Sequence, residues 1–140
     1  MPQHDYYGKE VLRAAAGPAY TDKGPSLKID YGAGRPARID GTVGRSIAVE
    51  IESRVSKQVR GAVLDLICHK YPKKLLVLLP VHMSSPEITA SQCNNILRRF
   101  LKPSDFRVIV LSGSGNMPCL EDDATIVRRA LRDLGFRGGA

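Results

Sequence analysis

The chain has 140 residues, 43% of them hydrophobic and 25% charged, with a formal net charge of +7. These proportions are globular and exclude wholesale disorder, and the length suits one domain over residues 1–140 with a core of its own. No apolar run approaches the ~18 residues of a membrane span, since the longest, Leu75 to Val81, contains Pro80.

The start, Met1-Pro2-Gln3-His4-Asp5, lacks the basic segment and apolar core of a secretion signal. Cys68, Cys93 and Cys119 form no CxxC pair, so neither a disulfide framework nor a zinc knuckle is expected. Reduced thiols in a cytoplasm are the simplest account. The surplus of 21 Lys and Arg over 14 Asp and Glu favours nucleic acid or another polyanion as a partner.

Tyr6, Tyr7, Val11, Leu12 and Ala15 fall at helical spacing, and Gly17-Pro18 ends that helix. Residues 21–25 read as a loop. Three segments of strand character follow, Ser26 to Tyr31, Ala37 to Val43 and Ser46 to Glu52. Their short glycine-containing connections predict an antiparallel meander. From Ser53, a candidate cap, the period becomes helical through Val55, Val59, Ala62, Val63, Leu66 and Ile67, and Tyr71-Pro72 stops the helix. Lys73-Lys74, read as a solvated cluster, lead into Leu75 to Leu79, apolar on both faces as in a central strand. Ser84-Ser85-Pro86-Glu87 starts a helix through Phe100, Phe106 to Leu111 is a strand, and Asp122 to Leu134 is a last helix ended by Gly135. The tail from Arg137 is expected to fray.

The informative stretch runs from Arg38 to Glu52. In its second strand Ile47, Val49 and Ile51 share one face, and Ala48, Glu50 and Glu52 the other. A three-residue loop at 43–45 places Asp40 opposite Ala48. Asp40 is then a diagonal neighbour of Glu50, roughly 7–8 Å away or less. A two-residue loop sends Asp40 to the other face unless a bulge corrects the register. Crowded carboxylates repel one another and accept a hard divalent cation such as Mg²⁺, which can activate water and stabilise charge on a phosphate. A basic surround with an acidic centre is the arrangement a phosphodiesterase needs. The plainer alternative is the solvent face of an alternating strand.

These residues resemble the PD-(D/E)xK nuclease superfamily, the restriction-endonuclease-like fold. Asp40 matches its first acid and Glu50 its second, and the element order from residue 26 to residue 111 matches its core. The resemblance implies an α/β fold with a mixed central sheet: an antiparallel three-strand meander, then two strands alternating with helices. It further implies a Mg²⁺- or Mn²⁺-dependent DNA endonuclease with Asp40, Glu50 and Glu52 on the metal. Glu10 in the first helix matches an accessory acid of some members, and Gln58 a glutamine that several branches carry near metal and DNA. The motif's Lys position is Glu52, as in some restriction enzymes. Glu52 then prepares the water as a base, or Lys57 or Arg54 supplies the positive charge. Loss of that Lys also fits a catalytically inactive nucleic-acid-binding or assembly module. Lys57 and Gln58 are expected to orient the scissile phosphate, and Arg38, Arg45, Arg54, Lys57 and Arg60 to contact DNA backbone. A homodimer, or a place in a larger assembly, supplies the surface one small core lacks.

Other features are weaker. The Ser112-Gly113-Ser114-Gly115-Asn116 loop lacks a full phosphate-cradling pattern and reads as a flexible loop, and the strands near 26–52 leave no room for the helices that a flavodoxin-like or Rossmann-like nucleotide binder needs. His4, His69 and His82 have no metal-ligand spacing, and Cys68 and Cys93 read as buried thiols. Arg98, Arg99, Arg128, Arg129 and Arg132 read equally as helix surface.

Overall fold

The computed structural model describes residues 3–54, 56–112 and 119–138. The elements in order are α1 (Gln3–Ala16), β1 (Tyr20–Thr21), β2 (Lys28–Ile29), β3 (Ala37–Arg38), β4 (Gly41–Val43), β5 (Ile47–Glu52), α2 (Ser56–Cys68), β6 (Lys73–Leu78), α3 (Pro86–Leu97), β7 (Phe106–Val110) and α4 (Leu120–Asp133). The five-stranded sheet has the order β1-β4-β5-β6-β7. It is antiparallel from β1 to β5 and parallel from β5 to β7. The fold is therefore α/β on a mixed sheet, with four α-helices among the described residues. None of them is long and apolar enough to cross a membrane.

Both faces of the sheet are covered, which is why all six residues of β5 are buried. Ile47, Val49, Ile51, Leu75, Val77 and Leu79 pack with α1 and α4. Ala48, Leu76 and Leu78 point the other way and pack with α2 and α3. The pleat alternates the side chains between two layers of helix. That second layer includes Cys93, buried as expected, whereas Cys68 is exposed.

The four helices follow the apolar spacing closely, and α4 ends before Gly135, whose φ is +95°. The strands depart from expectation in three ways. First, the meander's third antiparallel member is β1 and not residues 26–31. Tyr20 lies against Gly41, where any Cβ would collide with the phenol ring. Second, the expected strand 37–43 divides between two sheets. Its first part, β3, pairs with β2 in a two-stranded ribbon, and its second, β4, joins the main sheet. The break falls at Ile39 and Asp40. Ile39 N–H turns to the Leu27 carbonyl, and Asp40 N–H to the Glu50 carboxylate. Third, Lys74 is no solvated residue. It is 3% exposed within β6, and its ammonium donates to the His69 carbonyl. Burial lowers its pKa to about 8. Lys73 pairs with Asp105 at 2.7 Å.

At the head of α2, Ser53 does not cap through its side chain; its hydroxyl has no partner among the described residues. Glu52 takes that role (below). Val55, expected on the helix stripe, and residues 113–116 of the Ser112–Asn116 loop lie outside the described residues. Arg137 and Gly138, expected to fray, are described, and Gly138 backs onto the Phe136 ring.

Candidate active site

The β4–β5 pair decides where the acids stand. Its register pairs Gly41 with Val49, Thr42 with Ala48 and Val43 with Ile47. The loop is Gly44-Arg45-Ser46, with Gly44 at φ +60°. It is three residues long, one position later than expected. The register is thereby shifted by two, which preserves the face because side chains alternate with period two. Asp40 consequently stands directly across from Glu50 rather than diagonal to it.

β4 stops at Gly41, and Asp40 finishes the pairing with its side chain. Ile51 N–H donates to Asp40 Oδ2 at 2.7 Å, and Asp40 N–H donates to Glu50 Oε1 at 2.8 Å. Tyr20 holds the turn from the other side, its hydroxyl donating to the Asp40 carbonyl at 3.2 Å. The early end of β4 opens a cavity of about 230 Å³ lined by acids and bases. Its acids are Asp40, Glu50, Glu52 and Asp65, and its bases Lys9, Arg38 and Arg54.

Glu50 carries the strongest perturbation. Burial, then the charges of Asp40 and Asp65, push its carboxyl up to about 9 against the bond from Asp40 N–H. At neutral pH Glu50 therefore keeps its proton.

Glu52 behaves in the opposite way. Burial alone would raise its pKa. Arg54 overrides this, its Nε on Oε2 and its Nη2 on Oε1 both at 3.0 Å. Ser53 and Arg54 N–H groups also donate to Oε2, at 2.9 and 2.8 Å. Glu52 is thus held ionised below the usual carboxylate range and caps the first free amides of the turn into α2. Four donors leave it poorly placed to accept a proton or to bind a metal.

No family model, curated protein or solved structure matches this chain.

The sequence-predicted residues divide accordingly. Asp40 and Glu50 come together, with Glu52, Arg38 and Arg54 on the same cavity wall. Lys57 and Gln58 are not on it. Lys57 is exposed, and the Gln58 side-chain carbonyl is buried without a partner among the described residues. Arg45 and Arg60 are exposed, the former in the hairpin loop and the latter on α2. Glu10 is turned aside to Arg13 at 2.7 Å, and the neighbouring Lys9 faces the cavity instead. His69 is buried and held by the Ser26 carbonyl at its Nε2 and the Tyr71 N–H at its Nδ1; burial lowers its pKa, so it is a neutral structural group.

Lys9 and Asp65 are the residues that sequence reasoning passed over as site members. Asp65 sits two helical turns beyond Gln58 on the same side of α2, and Tyr31 donates to its Oδ1 at 2.6 Å. That spacing was the available signal. Lys9 offered none, because the rotation of α1 about its axis depends on packing.

Among the described residues no group of three or more His, Cys, Asp and Glu side chains is arranged to hold a metal ion. The donor set fits a divalent cation in part. Asp40 and Glu50 present two facing carboxyl groups, the second kept protonated by burial and then by its neighbours' negative charge. Glu52, the expected third, is occupied by Arg54.

Proposed function

We propose that this chain is a divalent-metal-dependent DNA endonuclease of the PD-(D/E)xK type, with a two-acid centre at Asp40 and Glu50. One observation carries the reading: Asp40 and Glu50 interlock across the hairpin at the mouth of a cavity that Lys9, Arg38 and Arg54 flank. The order of elements from β2 to β7 supports the restriction-endonuclease-like core. The charge of +7 supports a polyanionic substrate.

Asp40 and Glu50 would hold Mg²⁺ or Mn²⁺, and the cation, when bound, supplies Lewis-acid stabilisation of charge developing on the phosphate. The chain's own groups do the rest. Lys9 and Arg38 attract the DNA backbone toward the acids and neutralise non-bridging oxygens. Glu50 would have to give its proton to solvent to hold a cation beside Asp40. The family pattern's Lys position is Glu52 here; its carboxylate holds the Arg54 guanidinium, which would supply the positive charge in that Lys's place. Arg54, rather than Glu52, is therefore the group that faces the phosphate. Two such chains in a homodimer would cut both strands.

The test is supercoiled plasmid incubated with the full chain in Mg²⁺ or Mn²⁺. Nicked or linear product is expected with metal, none with EDTA, and none from Asp40→Ala. Absence of product with either metal, or equal product from Asp40→Ala, overturns the reading.

A second reading, a nucleic-acid-binding or assembly module without cleavage, is favoured by the engagement of Glu52 with Arg54 and the adjacent amides. Retardation of DNA with no product under any metal would establish it.

A further inference from the structure

We propose that the C-terminal end of α4 carries a separate anion site, built to take a phosphate-bearing nucleotide unit. After α4 the chain reverses at Gly135, where the positive φ of +95° suits glycine alone among common residues. Phe136 N–H donates to the Leu131 carbonyl and Gly135 N–H to the Arg132 carbonyl, both at 2.9 Å. This is the Schellman arrangement. It satisfies carbonyls of the last turn, so the negative end of the helix is blunted where an anion would approach. It also folds Phe136, Arg137 and Gly138 back toward α1. Between them lies a cavity of about 360 Å³ whose walls include Ala15, Arg128, Leu131, Arg132, Phe136 and Arg137.

Every ionisable side chain on those walls is an arginine. Arg128 is partly engaged, with Glu121 at 3.1 Å and the Ala14 carbonyl at 3.2 Å. The nearest acid in sequence, Asp133, leans to Arg107 at 3.6 Å. The guanidinium groups of Arg132 and Arg137 have no ion-pair or hydrogen-bond partner among the described residues. Both are exposed arginines lining one cavity, where a phosphate can accept forked hydrogen bonds from them. The floor is apolar, formed by Ala15, Leu131 and the Phe136 ring, which suits a base or sugar beside the phosphate better than a bare inorganic anion. The contrast with the Asp40–Glu50 cavity is plain, since acids outnumber bases there and are absent here. The two cavities share no residue, so this site does not rest on the nuclease reading.

The experiment is an amide NMR titration of the full chain with adenosine monophosphate, inorganic phosphate and a short single-stranded oligonucleotide. Adenosine monophosphate is expected to shift the amides of Ala15 and of Leu131 to Gly138. Arg132→Ala/Arg137→Ala is expected to weaken binding at least about tenfold, the usual cost of losing a charged hydrogen bond. Arg137→Glu, which lies beyond the helix, should do the same and serves if the double variant loses helicity. Asp40→Asn should bind like the wild type, which separates this site from the metal centre. Tighter binding of the oligonucleotide than of the mononucleotide identifies a strand as the source, and the reverse order a free nucleotide. Shifts confined to other regions, loss of less than twofold in the arginine variants, or phosphate binding as tightly as the mononucleotide would each overturn the proposal.

Discussion

Replacing Glu50 by Gln should stabilise the metal-free protein at neutral and alkaline pH. The carboxyl moves from 4.5 when unfolded to about 9 when folded, because burial and then the Asp40 and Asp65 charges oppose ionisation. Between those two values the folded state holds a proton that the unfolded state has lost, so stability falls as pH rises. The loss begins near the unfolded value and is complete above the folded one. At ~1.4 kcal/mol per unit, pH 7 lies far enough above the unfolded value to cost on the order of 3 kcal/mol. Gln cannot ionise and still offers a carbonyl oxygen to Asp40 N–H. Glu50→Gln should therefore match the wild type in acid and exceed it progressively as pH rises, reaching roughly 6–12 °C in Tm at pH 7 for a domain of this size. Urea unfolding of both proteins in EDTA from pH 4 to pH 9 measures this directly, and the difference between them cancels the titrating groups that do not interact with Glu50, Lys74 included. Parallel stability profiles would refute the buried, charge-crowded carboxyl. Excess Mg²⁺ at pH 8 should raise the wild type and leave the variant unchanged.

Two further substitutions probe the frame around the site. Asp123→Ala removes a fully buried carboxylate that accepts from Tyr7 Oη at 2.6 Å and from Ser112 N–H and Oγ at 2.7 Å each, so it should cost on the order of 3 kcal/mol in urea unfolding, with Asp123→Asn costing less. Gly41→Ala should lose about 1–3 kcal/mol by overpacking, since the added methyl meets the Tyr20 ring. The same variant should lower any metal affinity, because Tyr20 bonds the Asp40 carbonyl.

The helices were readable because each buries one stripe at helical spacing, and the β5 hairpin because Ile47, Val49 and Ile51 alternate with Ala48, Glu50 and Glu52 on either side of the pleat. The one-position error in the loop left Asp40 on the correct face, since a shift of two in register preserves the pleat. What stayed hidden was tertiary. β1 has two residues, too few to show alternation, and it exists because Tyr20 finds a glycine to lie on. Nothing in residues 37–43 marks Asp40 as a substitute rung of the ladder, because the bond it completes belongs to Ile51. The Glu52–Arg54 pair is close in sequence, yet it forms only because the chain turns sharply from strand to helix there. Lys74 looked solvated beside Lys73, and its burial depends on the distant His69 carbonyl.

The most direct examination of the central claim is anomalous diffraction from crystals of the full chain soaked in Mn²⁺ at alkaline pH, where Glu50 can ionise. An anomalous peak bonded to both Asp40 and Glu50, lost in Asp40→Asn, is the expected result. Mn²⁺ bound elsewhere, with Asp40 and Glu50 still joined only through their backbone contacts, would contradict it.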